Sequence, residues 1–545
     1  MTRKIKSGAL ALVLGLTVCF GALAQMPVPA AETASPDDPM LQLQKLNQFY
    51  RYLNGTYVDT VHNDALVEKA IREMLLQLDP HSTYLTAEEM KGVKEVFDGS
   101  FSGIGIEFNV LSDTVIVVNV IAGGPSEKVG LLPNDRIVKA DGKNIVGTKQ
   151  LDVPKILRGP KGTRVDLEVV RHGEKAPLEF SIIRDNIPIN TIDAAYKVDP
   201  STGYIRVNRF ANNTYKEFLE AYQKLGPLDA LILDLRSNGG GLLDQAIDLS
   251  NFFLPAGSLI VSTEGLRVPP GEARATADGP FTTGKVIVLT NETSASGSEI
   301  VAGALQDWDR ALVLGRRTFG KGLVQRQFPL VDGSAIRLTV ARYHTPTGRV
   351  IQRPFKNGDL EGYEMDFIKR FEPGASDSVG GDTTQRFKTL RSGRTVYGGG
   401  GITPDITVEY DTTEYSKYLS NLIRKGMLNE FAVAYMDRNR DRLSKTYPTI
   451  EAFSRNFKVD EKVLSELTQM AEQKGVPFDK EGFDRSARQI GTQIKALLAQ
   501  KLWGFNEYFV IMNAENDEVF AKALEVLKNW NQYGDSTGTV LPQKP

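Results

Sequence analysis

The sequence predicts a multidomain α/β protein in four parts: N-terminal helices, a β-rich domain, an α/β core and a C-terminal helical region. Three observations carry this. Apolar residues recur at helical spacing from Met40 to Tyr57, from Leu66 to Leu78, and again from Tyr415 to about Asn531. Between about Phe97 and Arg184 the pattern changes to short strands separated by glycine turns. From Asn186 to about Tyr410, fully apolar strands alternate with amphipathic helices, as in a mostly parallel sheet covered on both faces. With 545 residues and 41% hydrophobic content, the chain has enough apolar residues for several cores.

At the N-terminus, Arg3, Lys4 and Lys6 precede an apolar run from Ala9 to Phe20, and Ala22-Leu23-Ala24 follows with small residues at the positions a signal peptidase reads. This predicts a signal peptide over residues 1–24 and an exported, periplasmic protein. An uncleaved membrane anchor is the alternative, although the apolar part falls short of the roughly 20 residues that span a bilayer. Cys19, the one cysteine, lies inside the signal, so the mature chain would have no disulfide, thiol nucleophile or thiolate metal site. The 65 basic and 67 acidic residues form no basic block, which argues against nucleic acid as a partner. None of the four histidines has a second ligand at metal-binding helical spacing, so neither a metal nor another cofactor is expected.

Residues 25–96 read as a Pro- and Ala-rich tether followed by helices. Asp79-Pro80-His81-Ser82 breaks the second helix, and Thr86 with Glu89 makes a capping box for a short third. A histidine in such a turn is more often structural than catalytic. In residues 97–185, strands at 103–108 and 114–118, a turn and short helix at 124–131, and strands starting at Asp135 and Arg164 follow in an order that resembles a PDZ domain. That resemblance implies peptide capture by strand addition, with Gly103, Ile104, Gly105 and Ile106 forming the loop whose amides hold a terminal carboxylate. A small β domain without a ligand is the alternative.

The core, residues 186–410, contains two strand, small-residue loop, helix units. In one, Ala230–Leu235 leads through Arg236-Ser237-Asn238-Gly239-Gly240-Gly241 to a helix from Leu242. In the other, Val286–Leu289 leads through Asn291-Glu292-Thr293-Ser294-Ala295-Ser296-Gly297-Ser298 into a second helix. If their strands are neighbours, both loops open at one end of the sheet. A third strand, Ala311–Leu314, runs toward Phe319-Gly320-Lys321-Gly322. Its GxxxxGK spacing suggests a phosphate loop, but position 322 is Gly instead of Ser or Thr, and strand-like alternation follows where a helix is needed. The same alternation places Lys321, Leu323 and Gln325 on one face. Residues 355–397, rich in Gly, Asp and Ser and with little periodicity apart from Tyr363 to Phe371, read as a loop insertion or flexible flap. Residues 411–545 read as helical with a polar tail beyond Tyr533 that is expected to lack structure.

Amide hydrolysis needs a nucleophile, a base and donors for the oxyanion, and a buried neutral lysine can be the base. Asp79-Pro80-His81-Ser82, the PDZ-like segment, Asp234–Leu243, Ser294–Leu305, Phe319–Gln325 and Tyr343–Gln352 occur together and in order. In this the chain resembles the C-terminal processing peptidases, or tail-specific proteases, which are serine endopeptidases with a PDZ domain ahead of a crotonase/ClpP-like Ser-Lys core. The resemblance implies Ser296 as nucleophile, Lys321 as general base and Gln325 orienting that lysine. It also implies the backbone amides of Gly240 and Gly297 as oxyanion donors. Gly239 and Gly297 stand where the family often has Pro and Ala. Implied partners are polypeptides with accessible C-termini and an activating adaptor protein, with oligomerisation left open. A catalytically silent PDZ scaffold or chaperone, or a crotonase-like acyl-CoA enzyme, are the other readings of such a core.

Overall fold

The computed structural model describes residues 35–111, 113–121, 123–371 and 385–542, so the expected signal peptide lies outside the described residues. The chain forms two compact units, Met1–Ala70 and Ile71–Pro545. The first holds the helix Pro39–Thr56, opened by Asp38, whose side chain accepts from the Met40 amide. No described helix is long and apolar enough to cross a membrane. In the second unit, the expected capping box is present: the Thr86 amide donates to Glu89 at 2.8 Å, and the Glu89 amide donates back to Thr86 Oγ1.

The core is a six-stranded sheet whose strands follow one another in space as in sequence. They are β1 (Ile192–Lys197), β2 (Thr202–Val207), β3 (Ala230–Asp234), β4 (Lys285–Thr290), β5 (Leu312–Gly315) and β6 (Ile406–Thr407). Only the β1–β2 pair is antiparallel. Side chains alternate across the sheet, and each face has its own cover. Leu231, Leu233, Val286 and Val288 pack toward helices α1 (Thr214–Leu225), α2 (Leu243–Asn251) and α3 (Gly297–Asp307). Ile232, Ile287, Leu289, Leu312 and Leu314 pack toward Val519, Phe520, Ala523, Val526 and Leu527 of a C-terminal helix, Glu518–Lys528. This C-terminal helix, with Val540, is therefore the third layer of the core, while the helices from Lys417 to Asn516 have a hydrophobic core of their own.

One ion-pair network ties that layer to the Gly-rich loop. Buried Asp234, at the end of β3, accepts from Tyr204 Oη at 2.6 Å and pairs with Arg206 and Arg236. Arg236 also pairs at 2.7 Å with Asp517, the cap of the C-terminal helix.

A second sheet lies over the site. Strand Ala335–His344 pairs with Thr83–Leu85, with Leu259–Glu264 and with Leu323–Pro329, so the N-terminal segment after the Asp79 turn is built into the core. The PDZ domain has its own sheet and core, and Ile106–Leu111 is an edge strand beside the Gly105 turn. Arg136 pairs with Asp437 at 2.6 Å, and Leu111 and Ile116 pack on Val433, which joins the PDZ domain to the helix Met427–Thr446.

Two expectations are corrected. The described parts of 355–397 are not irregular: they form helix Leu360–Ile368 and the hairpin Arg386–Lys388 with Thr395–Tyr397. The reason is aromatic packing: Tyr363 and Phe367, in the one periodic stretch of the segment, flank the Arg353 guanidinium, which lies 3.7 Å from the Tyr363 ring centre. The tail beyond Tyr533 is also ordered through Leu541. Gly534 bridges Val540, the Val540 amide donates to Asp309 O, and the Val540 side chain is buried against the sheet.

Candidate active site

β3 and β4 are parallel neighbours, so the loops that follow them open side by side. Their contact is intimate. A Cβ on Gly240 would sit 2.7 Å from Ser296 Cβ and 2.8 Å from the Ala295 carbonyl, and Gly240 has φ +94°, so only glycine fits. Ser298 Oγ donates to the Asn238 carbonyl at 2.9 Å and Ser294 Oγ to the Leu235 carbonyl at 2.8 Å. These two hydroxyls fasten the turn to the Gly-rich loop. Ser296 has φ 55° and ψ −110°, a strained conformation that costs about 1–3 kcal/mol and that recurs where a strand-to-helix turn presents a serine.

Ser296, Gly297, the Gly239–Gly241 loop, Lys321 and Gln325 all line one cleft of about 520 Å³. The Gly297 amide makes no hydrogen bond among the described residues. The Gly240 amide differs from expectation, because it donates to Asn238 Oδ1 at 2.9 Å. The cause is local: buried Asn238 is fixed by donating to the Val207 carbonyl, which leaves its oxygen over the next turn.

Lys321 Nζ donates to Gln325 Oε1 at 3.0 Å and makes no hydrogen bond to Ser296 Oγ. Lys321 and Gln325 meet although Lys321 precedes the strand Leu323–Pro329 and the register shifts between Val324 and Gln325, so simple alternation does not set the contact. Gln325 Nε2 donates in turn to the His81 carbonyl at 2.5 Å. That carbonyl is held by the Asp79 turn: Asp79 accepts from the amides of His81 and Ser82 and from the Ser82 and Thr339 hydroxyls. Burial lowers the proton affinity of Lys321, Arg337 lowers it further, and Glu299 and Asp79 partly oppose them. The His81 ring packs against Phe319 and Tyr363, and burial with nearby Lys321 lowers its pKa to about 4, so it is neutral at pH 7. The ring is thus structural, as expected, while the carbonyl orients Gln325.

The backbones of Ser296 and Lys321 are clamped from two sides. Fully buried Glu299 accepts from the Ser296 and Lys321 amides through Oε2 at 2.8 and 2.9 Å. Its Oε1 accepts from Thr318 Oγ1 and the Gly320 amide at 2.6 and 2.7 Å. On the carbonyl side, Tyr343 Oη lies 3.2 Å from Ser296 O and contacts Lys321 O. Glu299→Ala orphans four donors, each worth about 1–3 kcal/mol when buried. We expect a loss of about 3–5 kcal/mol in urea unfolding, with loop relaxation absorbing the rest, and a fall in activity larger than Glu299→Gln produces. Sequence reading missed Glu299, although Ser296-x-x-Glu299 ahead of an apolar run is the spacing of a capping box. It also gave no role to Tyr343, although Tyr343 opens one of the stretches that carry the resemblance.

Fold and site define a class: an α/β core in which a strained turn serine and a half-buried lysine share one cleft, joined to a PDZ domain. Residues 201–361 match peptidase family S41, 102–182 a PDZ domain, 22–89 the activating protease CtpB N-terminal domain, and 418–504 a family of unknown function. The carboxy-terminal-processing protease of Bartonella bacilliformis is 41% identical over 318 residues, covering 57% of this chain and 73% of that protein. The carboxy-terminal processing protease CtpA of Bacillus subtilis is 36% identical over 331 residues, covering 60% and 70%. Among solved structures, the photosystem II D1 C-terminal processing protease is 26% identical, with a TM-score of 0.36, over 69% of this chain and 88% of that one. The chain belongs to the carboxy-terminal processing proteases of peptidase family S41.

Proposed function

We propose that the protein is a serine endopeptidase that cleaves exported polypeptides after its PDZ domain takes hold of a substrate C-terminus. The observation that carries this reading is the cleft itself, where Ser296 and a Lys321 of lowered proton affinity lie together, with Lys321 anchored through Gln325 to the His81 carbonyl. Ser296 Oγ attacks the scissile carbonyl and its proton passes to neutral Lys321 Nζ. The Gly297 amide stabilises the oxyanion, joined by Gly240 once substrate displaces the Asn238 side chain. Lys321 returns the proton to the leaving amine, and water then releases the acyl group by the same steps. Catalytic hydrogen bonds tighten when substrate binds, which accommodates the absence of a Ser296–Lys321 bond here.

At the PDZ domain, the Ile104 and Gly105 amides make no hydrogen bond among the described residues, and Gly105 has φ +79°. Together with the free edge of Ile106–Leu111 they suit carboxylate capture with strand addition. The signal-peptide pattern of residues 1–24 supports a periplasmic setting for this activity, and the engaged Gly240 amide gives an activating adaptor something to change.

The test is the pH dependence of cleavage of a denatured protein by the full chain. Only the neutral lysine accepts the serine proton, so kcat/KM rises with pH through the Lys321 pKa, with a midpoint below the ordinary lysine range. Activity that falls over that range, or cleavage that persists in Ser296→Ala, contradicts the reading.

A further inference from the structure

One charged group in the cleft has no internal task. Arg337 lies in the wall on strand Ala335–His344, half-buried, and among the described residues its guanidinium has no ion-pair partner and donates no hydrogen bond. The residues lining the cleft include Lys321 and Arg337 but no carboxylate. The acids near Lys321 are already engaged: Asp79 by its own turn and Thr339, and Glu299 by its four donors. Withdrawing a guanidinium from water without a partner is costly, and such local violations concentrate where a ligand completes the site.

Its position is set by strand register. Gln325 stands opposite Thr339 and Gln327 opposite Arg337, so Gln325, Gln327 and Arg337 share one face and all line the cleft. Arg337 is therefore one pleat, roughly 7 Å, along the strand from the pair that anchors Lys321. An extended peptide rises by the same amount over two residues, so a group that meets Arg337 lies within a few residues of the bond being cut. A planar guanidinium fork binds a carboxylate through two parallel bonds, which makes peptide carboxylate the fitting ligand.

We propose that Arg337 forms a carboxylate-recognising subsite of the cleft, selecting polypeptides with an acidic side chain or a free C-terminus within a few residues of the scissile bond. This rests on Ser296 being the nucleophile of the same cleft.

The test uses the full chain and a synthetic peptide spanning the fastest-cut bond of a denatured protein, mapped by mass spectrometry. The peptide is made with Glu or Gln at each of three positions on either side of the bond, and with a C-terminal acid or amide. Wild type favours the carboxylate form at one position by about 10–100-fold in kcat/KM, the range of a charge-assisted hydrogen bond. A gain confined to a Glu position identifies the side chain as the ligand, and a gain confined to the acid terminus identifies the chain end. Arg337→Gln removes the ratio, Arg337→Lys retains part of it, and Arg337→Glu inverts it toward peptides carrying Lys at that position. Reading a ratio cancels the common effect that loss of this charge has on Lys321. No ratio in wild type, or a ratio unchanged in Arg337→Gln, overturns the subsite and leaves the peptidase reading intact. No cleavage by wild type, or equal cleavage by Ser296→Ala, sinks that underlying reading instead.

Discussion

Ser296→Ala is expected to lower kcat by about 10⁶-fold, the loss seen when the nucleophile of a serine protease is removed. The fold should be unchanged, since the Ser296 amide and carbonyl, which meet Glu299 and Tyr343, are retained. Alanine is if anything harder to hold at φ 55°, so a small fall in thermal stability accompanies the loss. Lys321→Ala should cost about as much, because groups that act as a unit are not additive, and the double variant should be no worse than either alone. Ser294→Ala and Ser298→Ala should behave differently: each loses one buried hydrogen bond, about 1 kcal/mol, and keeps most of the activity. Initial rates on a denatured protein separate these outcomes.

Removing residues 411–545 is expected to abolish folding of the core. The helix Glu518–Lys528 and Val540 cover Ile232, Ile287, Leu289, Leu312 and Leu314, which are otherwise exposed as one apolar face. Burial of each such side chain contributes about 1.5–3 kcal/mol. Their sum reaches the whole stability of a typical domain, about 5–15 kcal/mol. The same cut removes Asp517 from Arg236 and Asp437 from Arg136, loosening the Gly-rich loop and freeing the PDZ domain. The truncated chain should be insoluble, or soluble without thermal cooperativity. A soluble, cooperatively melting and active truncation would show that the third layer is dispensable.

The core sheet was legible because strands buried on both faces write themselves as continuous apolar runs; Ala230–Leu235 and Val286–Leu289 left little choice. The partner of a stripe is harder to read. Val519, Phe520, Ala523 and Val526 announce a buried face, yet nothing local says that it meets β3 to β5, roughly two to three hundred residues earlier. Within 355–397 the periodicity of Tyr363 to Phe371 was visible, but what its rings pack on, the Arg353 guanidinium, was not. In the site, Ser296, Lys321 and Gln325 all followed from family resemblance; alternation suggested only that Lys321 and Gln325 lie together, and the register shift between Val324 and Gln325 is not written in the sequence pattern. Which amides are free did not follow, because Asn238 satisfies Gly240 through a side-chain rotamer that no spacing encodes. Arg337 is one alternating residue among many on its strand, and only the absence of a facing acid distinguishes it.

The central claim is that Ser296 is a nucleophile activated by Lys321. Labelling the full chain with a fluorophosphonate, followed by tandem mass spectrometry, tests it most directly. The account predicts a single adduct on Ser296, formed faster as pH rises and almost lost at pH 7 in Lys321→Ala. An adduct on Ser294 or Ser298, or labelling of Ser296 at an unchanged rate in Lys321→Ala, would contradict it.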